Sequence, residues 1–319
     1  MQTEALPTLD LETLEHEPRA LAELDRICST WGAFQLTGHG IDARTRSATL
    51  AEIRRFFALP GAEKRALSRT ATNAWGFFDR ELTKNRRDWK EIWDFGPADR
   101  EGPMAGSIAQ FPDGMPEFRG AMEGWFALCH ALALRLLDVL ERGLGATGAE
   151  LRGDFEAAHS SFLRLNWYPR CPTPAPHDLP LDAEGHLGIR HHTDSGALTL
   201  LLHDAEPGMQ LRRGEGWSLI EPREDALLVV LGDVVQVWSN DRWRAPLHRV
   251  VARADRDRYS APYFLNPSYD CVYAPLGAQC SPAHPARYRP IRWSEFRALR
   301  AAGDYADQGA EVQISDFRI

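Results

Sequence analysis

The most constraining feature of the sequence is a series of short, strand-like segments that fills the chain after about residue 158. Residues that favour turns separate each segment from the next. Many short strands with turns between them favour a β-sandwich or barrel over a parallel α/β sheet. The candidate strands are Ser161–Tyr168, Leu187–His192, Ala197–His203, Met209–Leu211, Trp217–Ile220, Leu227–Leu231, Val234–Trp238, Leu247–Ala252 and Tyr259–Leu265.

The chain before these segments has a mostly helical pattern, with one short aromatic strand predicted at Trp31–Leu36. A long apolar stripe from Met122 to Leu140 predicts a helix that ends near residues 143–148 and packs against a sheet. A further helix is predicted at Trp293–Ala301. We expect a mainly β fold with flanking helices, as one compact unit of four segments: a mixed helical region (1–115), a supporting helix (116–157), the β core (158–285), and a C-terminal helix and tail (286–319).

Charge and composition limit the kinds of partner that the protein is expected to bind. The formal net charge is -8, which disfavours nucleic acid and anionic membranes because both attract positive surfaces. The five cysteines form no CxxC pair and are odd in number, which argues against a disulfide framework. The N-terminus lacks the apolar segment of a signal peptide, and no apolar run is long enough to span a bilayer. We therefore expect a cytoplasmic protein that binds neither nucleic acid nor membrane.

The motif His192-Thr193-Asp194 lies at the end of a predicted strand. Alternate residues of an extended strand share a face, so His192 and Asp194 can hold one ion together while His191 points away. His248, on a later predicted strand, can supply a third ligand, because distant strands become neighbours in a closed β-fold. Two imidazoles and one carboxylate leave positions open and suit iron(II) in oxygen chemistry. A single His-x-Asp motif is common by chance, so this hypothesis depends on further elements.

Two such elements follow the same alternation of faces. Arg258 and Ser260 share one face of a predicted strand, where a guanidinium fork and a hydroxyl can bind a carboxylate. Asn166 and Tyr168 share a face of another predicted strand. The alternative interpretations are an ordinary surface arginine and a tyrosine buried under the sheet.

With these elements in order, the chain resembles the isopenicillin N synthase-like family of 2-oxoglutarate/Fe(II)-dependent dioxygenases. The resemblance covers nearly the whole chain, and the joint order and spacing of its motifs is highly specific. The matching stretches are WGAFQLTGHGI (31–41), FFALPGAEK (56–64), RLNWYPRCP (164–172), HTDSGALTLLLHD (192–204), LGDVVQVWSN (231–240), APLHRVV (245–251) and RYSAPYFLNP (258–267). One departure is Trp167, where tyrosine is more usual, and the alternation of faces points it away from the cofactor.

The resemblance implies a double-stranded β-helix, or jelly-roll, core with iron on His192, Asp194 and His248. It implies that 2-oxoglutarate chelates the iron and that its distal carboxylate meets Arg258 and Ser260, assisted by Tyr168 and Asn166. O₂ is then a co-substrate, with ascorbate an optional reductant, and no catalytic residue beyond the metal ligands is implied. The expected reaction oxidises an unactivated C–H bond of a small organic molecule by hydroxylation, desaturation or cyclisation, with release of succinate and CO₂. Secondary metabolism is the setting expected by analogy.

The substrate itself is not readable from the sequence, and neither is the oligomeric state. Six aromatic residues between 75 and 95 can line a pocket, although most are better explained as core. A basic cluster beside them can receive an anionic substrate, although such clusters more often face solvent. The aromatic residues are Trp75, Phe77, Phe78, Trp89, Trp93 and Phe95, and the basic residues are Lys84, Arg86, Arg87 and Lys90.

Three alternatives stay open at this stage. The first is an Fe(II) oxidase of the isopenicillin N synthase type, which shares the iron ligands and the Arg-x-Ser pair but uses no 2-oxoglutarate. The second is a non-catalytic binding protein on the same fold. The third is a cupin-like enzyme with zinc or manganese, although that leaves the Arg-x-Ser pair unexplained.

Overall fold

The computed structural model describes residues 5–84, 86–97, 106–146, 151–156, 158–176, 185–305 and 312–319. Its strands are β1 (Thr8–Asp10), β2 (Ala33–Thr37), β3 (Gly76–Phe78), β4 (Leu82–Thr83), β5 (Arg86–Arg87), β6 (Glu91–Phe95), β7 (Phe162–Tyr168), β8 (Leu187–His192), β9 (Leu198–His203), β10 (Met209–Arg213), β11 (Gly216–Leu219), β12 (Leu227–Leu231), β13 (His248–Val251), β14 (Arg258–Leu265), β15 (Val272–Tyr273) and β16 (Ile291–Arg292). Its α-helices are α1 (Leu11–His16), α2 (Ala20–Thr30), α3 (Ala43–Phe57), α4 (Gly61–Ala66), α5 (Pro116–Gly143), α6 (Gly153–Glu156), α7 (Asp233–Trp238) and α8 (Trp293–Tyr305).

Two sheets form the β core. The larger sheet has eight strands in the order β1-β2-β12-β9-β14-β7-β6-β3, and the smaller has four in the order β11-β10-β13-β8. Strands next to each other in these sheets are far apart in sequence, which is how a jelly roll differs from a simple meander. The predicted mainly β fold with flanking helices is confirmed.

The larger sheet takes four of its eight strands from the first 95 residues. The segment Glu91–Phe95 pairs antiparallel with β7 over five residues and joins the N-terminal region directly to the β core. Apart from the strand at 33–37, these N-terminal strands were not predicted from the sequence. They are short, and their sequences carry no clear alternation, so only their pairing partners define them.

Helices cover the outer face of this sheet. Helix α5 presents an apolar stripe that packs on α3, where the rings of Phe56 and Phe118 stack at 4.9 Å. The predicted apolar stripe is confirmed, since Met122, Trp125 and Leu140 are all buried. Burial of such side chains contributes about 1.5–3 kcal/mol each. Among the described residues, no helix has the length and apolarity needed to cross a membrane.

One predicted strand was wrong, because residues 233–238 form helix α7. The β-branched residues Val234, Val235 and Val237 suggested a strand, but tertiary contacts override such propensities. Strand β12 ends against the loop before β9, where a Cβ on Gly232 would lie 2.1 Å from the carbonyl oxygen of Gly196. The backbone N–H groups of Asp233 and Val234 then donate to the carbonyls of Asp194 and Gly196, so the start of α7 is held on that loop.

Strand register places the candidate site. In the smaller sheet, β13 pairs with β8 so that His248 lies opposite His192. In the larger sheet, β14 pairs with β7 so that Arg258 lies opposite Tyr168 and Ser260 opposite Asn166. Directly opposite residues in an antiparallel pair have Cβ atoms about 4.5–5.5 Å apart. Each pairing therefore brings two of the candidate residues into reach of each other.

Candidate metal centre

His192, Asp194 and His248 form one cluster between the two sheets. Each offers a ligand atom within 4.8 Å of the ligand atoms of the other two, and in the described part of the chain this is the one group of its kind. His192 is the last residue of β8 and His248 the first of β13. Asp194 lies two residues beyond the strand, in the loop that α7 holds.

The ligand atoms face each other closely. Oδ1 of Asp194 lies 3.7 Å from Nε2 of His192 and 3.6 Å from Nε2 of His248. Separations of this size are too long for strong hydrogen bonds. They are suitable for three ligands placed about 2 Å from one shared ion. The donor set, two imidazole nitrogens and one carboxylate, fits iron(II) with open positions.

Both imidazoles are oriented by backbone carbonyls. Nδ1 of His192 lies 2.8 Å from the carbonyl oxygen of Arg190, and Nδ1 of His248 lies 3.0 Å from that of Pro246. A carbonyl accepts, so Nδ1 of each ring carries a proton, and Nε2 is the nitrogen that faces the cluster. Burial, together with the adjacent His248, holds the pKa of His192 well below its usual range. The His192 ring is therefore neutral at pH 7 and available as a ligand.

The Arg258 end of the site is built by β14 and β7. Arg258, Ser260 and Asn166 are almost fully buried, and the amide nitrogen of Asn166 donates to Oγ of Ser260 at 3.3 Å. The Arg258 guanidinium lies 5.1 Å from the ring centre of Tyr168, and its Nε donates to the carbonyl of Glu206 at 3.1 Å. Within the described residues, Nη1 of Arg258 and Oδ1 of Asn166 are buried and have no hydrogen-bond partner. A buried guanidinium nitrogen without an acceptor is costly and marks a place for an anion.

Trp167, between these two residues of β7, lies on the other face. Its ring is 4.8 Å from Nζ of Lys64 and 6.1 Å from the ring of Phe57. It therefore packs against helices α3 and α4, as the alternation of faces predicts, and does not face the cluster.

A single cavity contains the histidine cluster and the Arg258 end, and it continues to a second, charged end. At that end Nζ of Lys90 lies 2.5 Å from Oε2 of Glu81 and 3.6 Å from Oδ2 of Asp88. Arg164 also binds Glu81, at 3.0 Å, and makes two hydrogen bonds to Asp94. Despite its burial, Arg164 and Lys90 lower the pKa of Glu81 to about 2, so the Glu81 carboxylate is ionised. We call Glu81, Asp88, Lys90, Asp94 and Arg164 the charged network.

Sequence reasoning missed most of this end of the cavity. Arg300 of α8 also lines it, and its Nη2 donates to the carbonyl of Thr193 at 3.0 Å. Glu81, Arg164 and Arg300 come from three distant segments, and no spacing rule connects them. Thr199 was also missed, although it lies five residues after Asp194 on β9 and donates to Oδ2 of Asp194.

The residues of the predicted basic cluster differ in how far they are exposed in the structure. Lys90 is buried and lines the cavity, whereas Arg86 and Arg87 are exposed. The interpretation of a solvated face therefore holds for Arg86 and Arg87 and fails for Lys90.

Four of the six predicted aromatic residues are core, whereas Phe78 and Trp89 are half-buried. Trp75, Phe77, Trp93 and Phe95 are buried in the apolar interior. In the part of the chain that the structure describes, the aromatic residues that line the cavity are Tyr168 and Phe264. The interpretation of these residues as core was therefore the better one.

Comparisons with known proteins agree with this geometry. A family model described as "2OG-Fe(II) oxygenase superfamily" matches residues 159–267, and one described as "non-haem dioxygenase in morphine synthesis N-terminal" matches residues 6–117. The first contains every residue of the cluster and of the Arg258 end. The two matches together span both the N-terminal region and the β core.

Individual relatives and structures extend the match to nearly the full chain. Gibberellin 3-beta-dioxygenase 1 of Oryza sativa subsp. japonica is 32% identical over 307 residues, which cover 93% of this chain and 77% of that protein. Jasmonate-induced oxygenase 4 of Arabidopsis thaliana is 30% identical over 302 residues, covering 92% and 81%. A crystal structure of JOX2 in complex with 2OG, Fe and JA superimposes with a TM-score of 0.83 at 25% identity, covering 99% of this chain and 89% of that one.

Proposed function

Because this chain belongs to the 2OG-Fe(II) oxygenase superfamily, we propose that His192, Asp194 and His248 hold an iron(II) ion. The protein is a non-haem dioxygenase that depends on Fe(II) and 2-oxoglutarate. The observation that carries the assignment of ligands is the convergence of Asp194 Oδ1 with the Nε2 atoms of His192 and His248 within 4 Å. Bound iron would supply the activation of O₂ and the oxidation of a substrate C–H bond.

We propose that 2-oxoglutarate places its distal carboxylate at Arg258 and Ser260. The support is the buried Nη1 of Arg258, which lacks an acceptor among the described residues and lines the same cavity as the histidine cluster. A carboxylate would accept from the guanidinium and from the Ser260 hydroxyl. Tyr168 and Asn166 would assist, because β7 places them directly opposite Arg258 and Ser260.

We further propose that a small organic substrate occupies the charged end of the same cavity, between the metal cluster and the charged network. Lys90, Arg164 and Phe264 line this end, so a substrate with both a polar group and an apolar body would fit it. The relatives are gibberellin and jasmonate-induced oxygenases, which favours an organic molecule of specialised or hormone metabolism. The reaction is an oxidation of a substrate C–H bond that gives hydroxylation, desaturation or cyclisation.

The family match and the Arg258 end both support the 2-oxoglutarate enzyme over the alternatives. A cupin-like zinc or manganese site would leave the buried Arg258 without a function. An oxidase without 2-oxoglutarate would use the same metal ligands, so it has to be separated by experiment.

The test is an anaerobic titration of metal-free protein with Fe(II) and then with 2-oxoglutarate. The signal that is monitored is the weak visible charge-transfer band of the chelate. We expect a band that requires both additions, and succinate release once O₂ and a substrate are supplied. Iron binding without a band would favour the oxidase that uses no 2-oxoglutarate. No iron binding would overturn the metal assignment.

A further inference from the structure

We propose that Thr199 is a positioning residue that determines which oxygen of Asp194 faces the metal; this inference rests on the proposed function. Thr199 lies within the stretch HTDSGALTLLLHD (192–204), but no role was predicted for it from the sequence, and it is not one of the proposed ligands. Its hydroxyl donates to Oδ2 of Asp194 at 2.5 Å. The other oxygen, Oδ1, is the one that lies 3.7 Å and 3.6 Å from the two imidazole Nε2 atoms.

The two carboxylate oxygens therefore have separate partners. Oδ2 is engaged by a hydroxyl, while Oδ1 is directed at the point where both imidazoles also converge. A carboxylate bound through one oxygen occupies one position on the ion, whereas a carboxylate bound through both oxygens occupies two. Since a bidentate cosubstrate needs two positions and O₂ a third, a single-oxygen contact by Asp194 leaves the required number.

Thr199 itself is firmly placed. It lies on β9 in the middle of the larger sheet, opposite Val230 on one side and Phe264 on the other. It is 3% exposed. A β-branched side chain in a central strand has little rotamer freedom, so its hydroxyl stays on Oδ2.

The backbone of Asp194 is held as well. Its carbonyl oxygen accepts from the N–H of Asp233 at 2.8 Å, at the start of α7. The residue is thus fixed at its main chain by α7 and at its carboxylate by Thr199. With the hydroxyl removed, only the main-chain contact would remain, and the carboxylate could rotate about its Cβ–Cγ bond.

A hydroxyl–carboxylate bond of this length lies in the range of charge-assisted hydrogen bonds. Partners of metal ligands orient those ligands, and their loss typically lowers metal affinity by about 10- to 100-fold. We therefore expect Thr199→Val, which keeps the size and shape of the side chain, to weaken Fe(II) binding by about that factor. Thr199→Ser, which keeps the hydroxyl, should restore affinity to within about threefold of wild type, because the same orienting bond can form.

The experiment measures the dissociation constant for Fe(II) alone under anaerobic conditions, together with the melting temperature of each metal-free protein. Thr49→Val is the matched control. Thr49 is also 3% exposed and donates its hydroxyl to a backbone carbonyl at 2.9 Å, but it lies on α3, away from the cluster. It undergoes the same chemical change without touching a proposed ligand.

Weakened Fe(II) binding in Thr199→Val, rescued by Thr199→Ser and absent from Thr49→Val, would support the proposal. Equal Fe(II) affinity in wild type and Thr199→Val would overturn it, while leaving the metal site itself established by the wild-type titration. Should Thr199→Val fail to fold, an unchanged affinity in Thr199→Ala would overturn the proposal in the same way. A wild-type protein that binds no Fe(II) would instead refute the proposed function.

Discussion

The two ends of the cavity differ in how far their polar groups are already satisfied. At the Arg258 end, buried hydrogen-bonding atoms of Arg258 and Asn166 have no partner within the described parts of the chain. At the other end, Lys90 and Arg164 both bind Glu81, at 2.5 Å and 3.0 Å. The Arg258 end therefore has buried polar atoms without hydrogen-bond partners, whereas the charged groups at the other end are already paired with each other.

This difference separates ligand binding from stability. An unpaired buried polar group destabilises the protein without ligand, and its hydrogen bond to a ligand then contributes to the free energy of binding. Ion pairs in a buried network form when the protein folds. Removing one member leaves its partner as an unpaired buried charge and destabilises the folded protein. Substitutions at the Arg258 end should therefore change affinity, whereas those in the charged network should change the free energy of unfolding.

The largest effect is expected between the two ends, at the metal itself. His192→Ala removes one of three proposed ligands, so we expect it to abolish Fe(II) binding and succinate formation. His191→Ala is the matched control, because it makes the same change at the neighbouring residue, which is not in the cluster. Anaerobic Fe(II) titration measures both. Retained binding in His192→Ala would exclude this residue as a ligand.

The next effect concerns the charged network. Lys90→Met removes one of the two cations that bind the buried Glu81 carboxylate, which should lower the free energy of unfolding by about 3–5 kcal/mol. Arg26→Met breaks an exposed ion pair with Glu23 and should cost no more than about 1 kcal/mol. Urea unfolding of the metal-free proteins measures this contrast. Equal losses in the two variants would contradict the view of Lys90 as part of a closed network.

The third effect concerns the Arg258 end. Arg258→Ala removes a charge-assisted contact worth about 1.5–3 kcal/mol, which raises the 2-oxoglutarate concentration needed for half-saturation about 10- to 150-fold. The free energy of unfolding should change much less than in Lys90→Met. The readout is the amplitude of the chelate band during titration.

Arg256→Ala is the control for this titration. Arg256 is an exposed arginine two residues away that pairs with Glu206 and Asp255, so its removal should leave half-saturation unchanged. Unchanged half-saturation in Arg258→Ala as well would remove Arg258 from the cosubstrate site.

The most gradual effect is a pH dependence of stability within the charged network. Burial raises the pKa of Asp88 from 3.8 to about 7, although Lys90 opposes this shift. Between about pH 4 and pH 7 the folded protein keeps a proton that the unfolded chain has lost. The resulting stabilisation is complete below pH 4 and is lost as the pH rises through 7, with a slope of at most about 1.4 kcal/mol per pH unit.

Asp88→Asn should flatten this slope in urea unfolding measured from pH 5 to pH 8. Asp270→Asn is the control, since Asp270 is largely exposed and contacts Arg292 at 3.5 Å. A slope that persists in Asp88→Asn would assign the titration to another group.

Sequence reasoning identified the elements of the Arg258 end and the metal cluster because strand alternation has a fixed period. The pairs Arg258 and Ser260, and Asn166 and Tyr168, each lie two residues apart on observed strands. The same argument was incomplete for Asp194, which lies beyond the end of β8. Its position depends instead on the contacts of its loop with α7 and Thr199.

The charged end of the cavity could not be predicted in this way. Lys90 was grouped from the sequence with Arg86 and Arg87, which are exposed. The sequence alone does not show which of these cations is surrounded by carboxylates from other segments. Helix α7 was taken for a strand, because valine-rich segments favour strands unless tertiary contacts intervene.

The sequence by itself therefore determined the mainly β fold, the family and the residues that alternate on single strands, since all of these depend on local periodicity and motif order. The tertiary structure decided what surrounds them. It joined Glu81, Lys90 and Arg164 into one network, left Nη1 of Arg258 without a hydrogen-bond partner among the described residues, and placed Thr199 on Oδ2 of Asp194. These features depend on burial and on contacts between residues far apart in sequence, which no local pattern encodes.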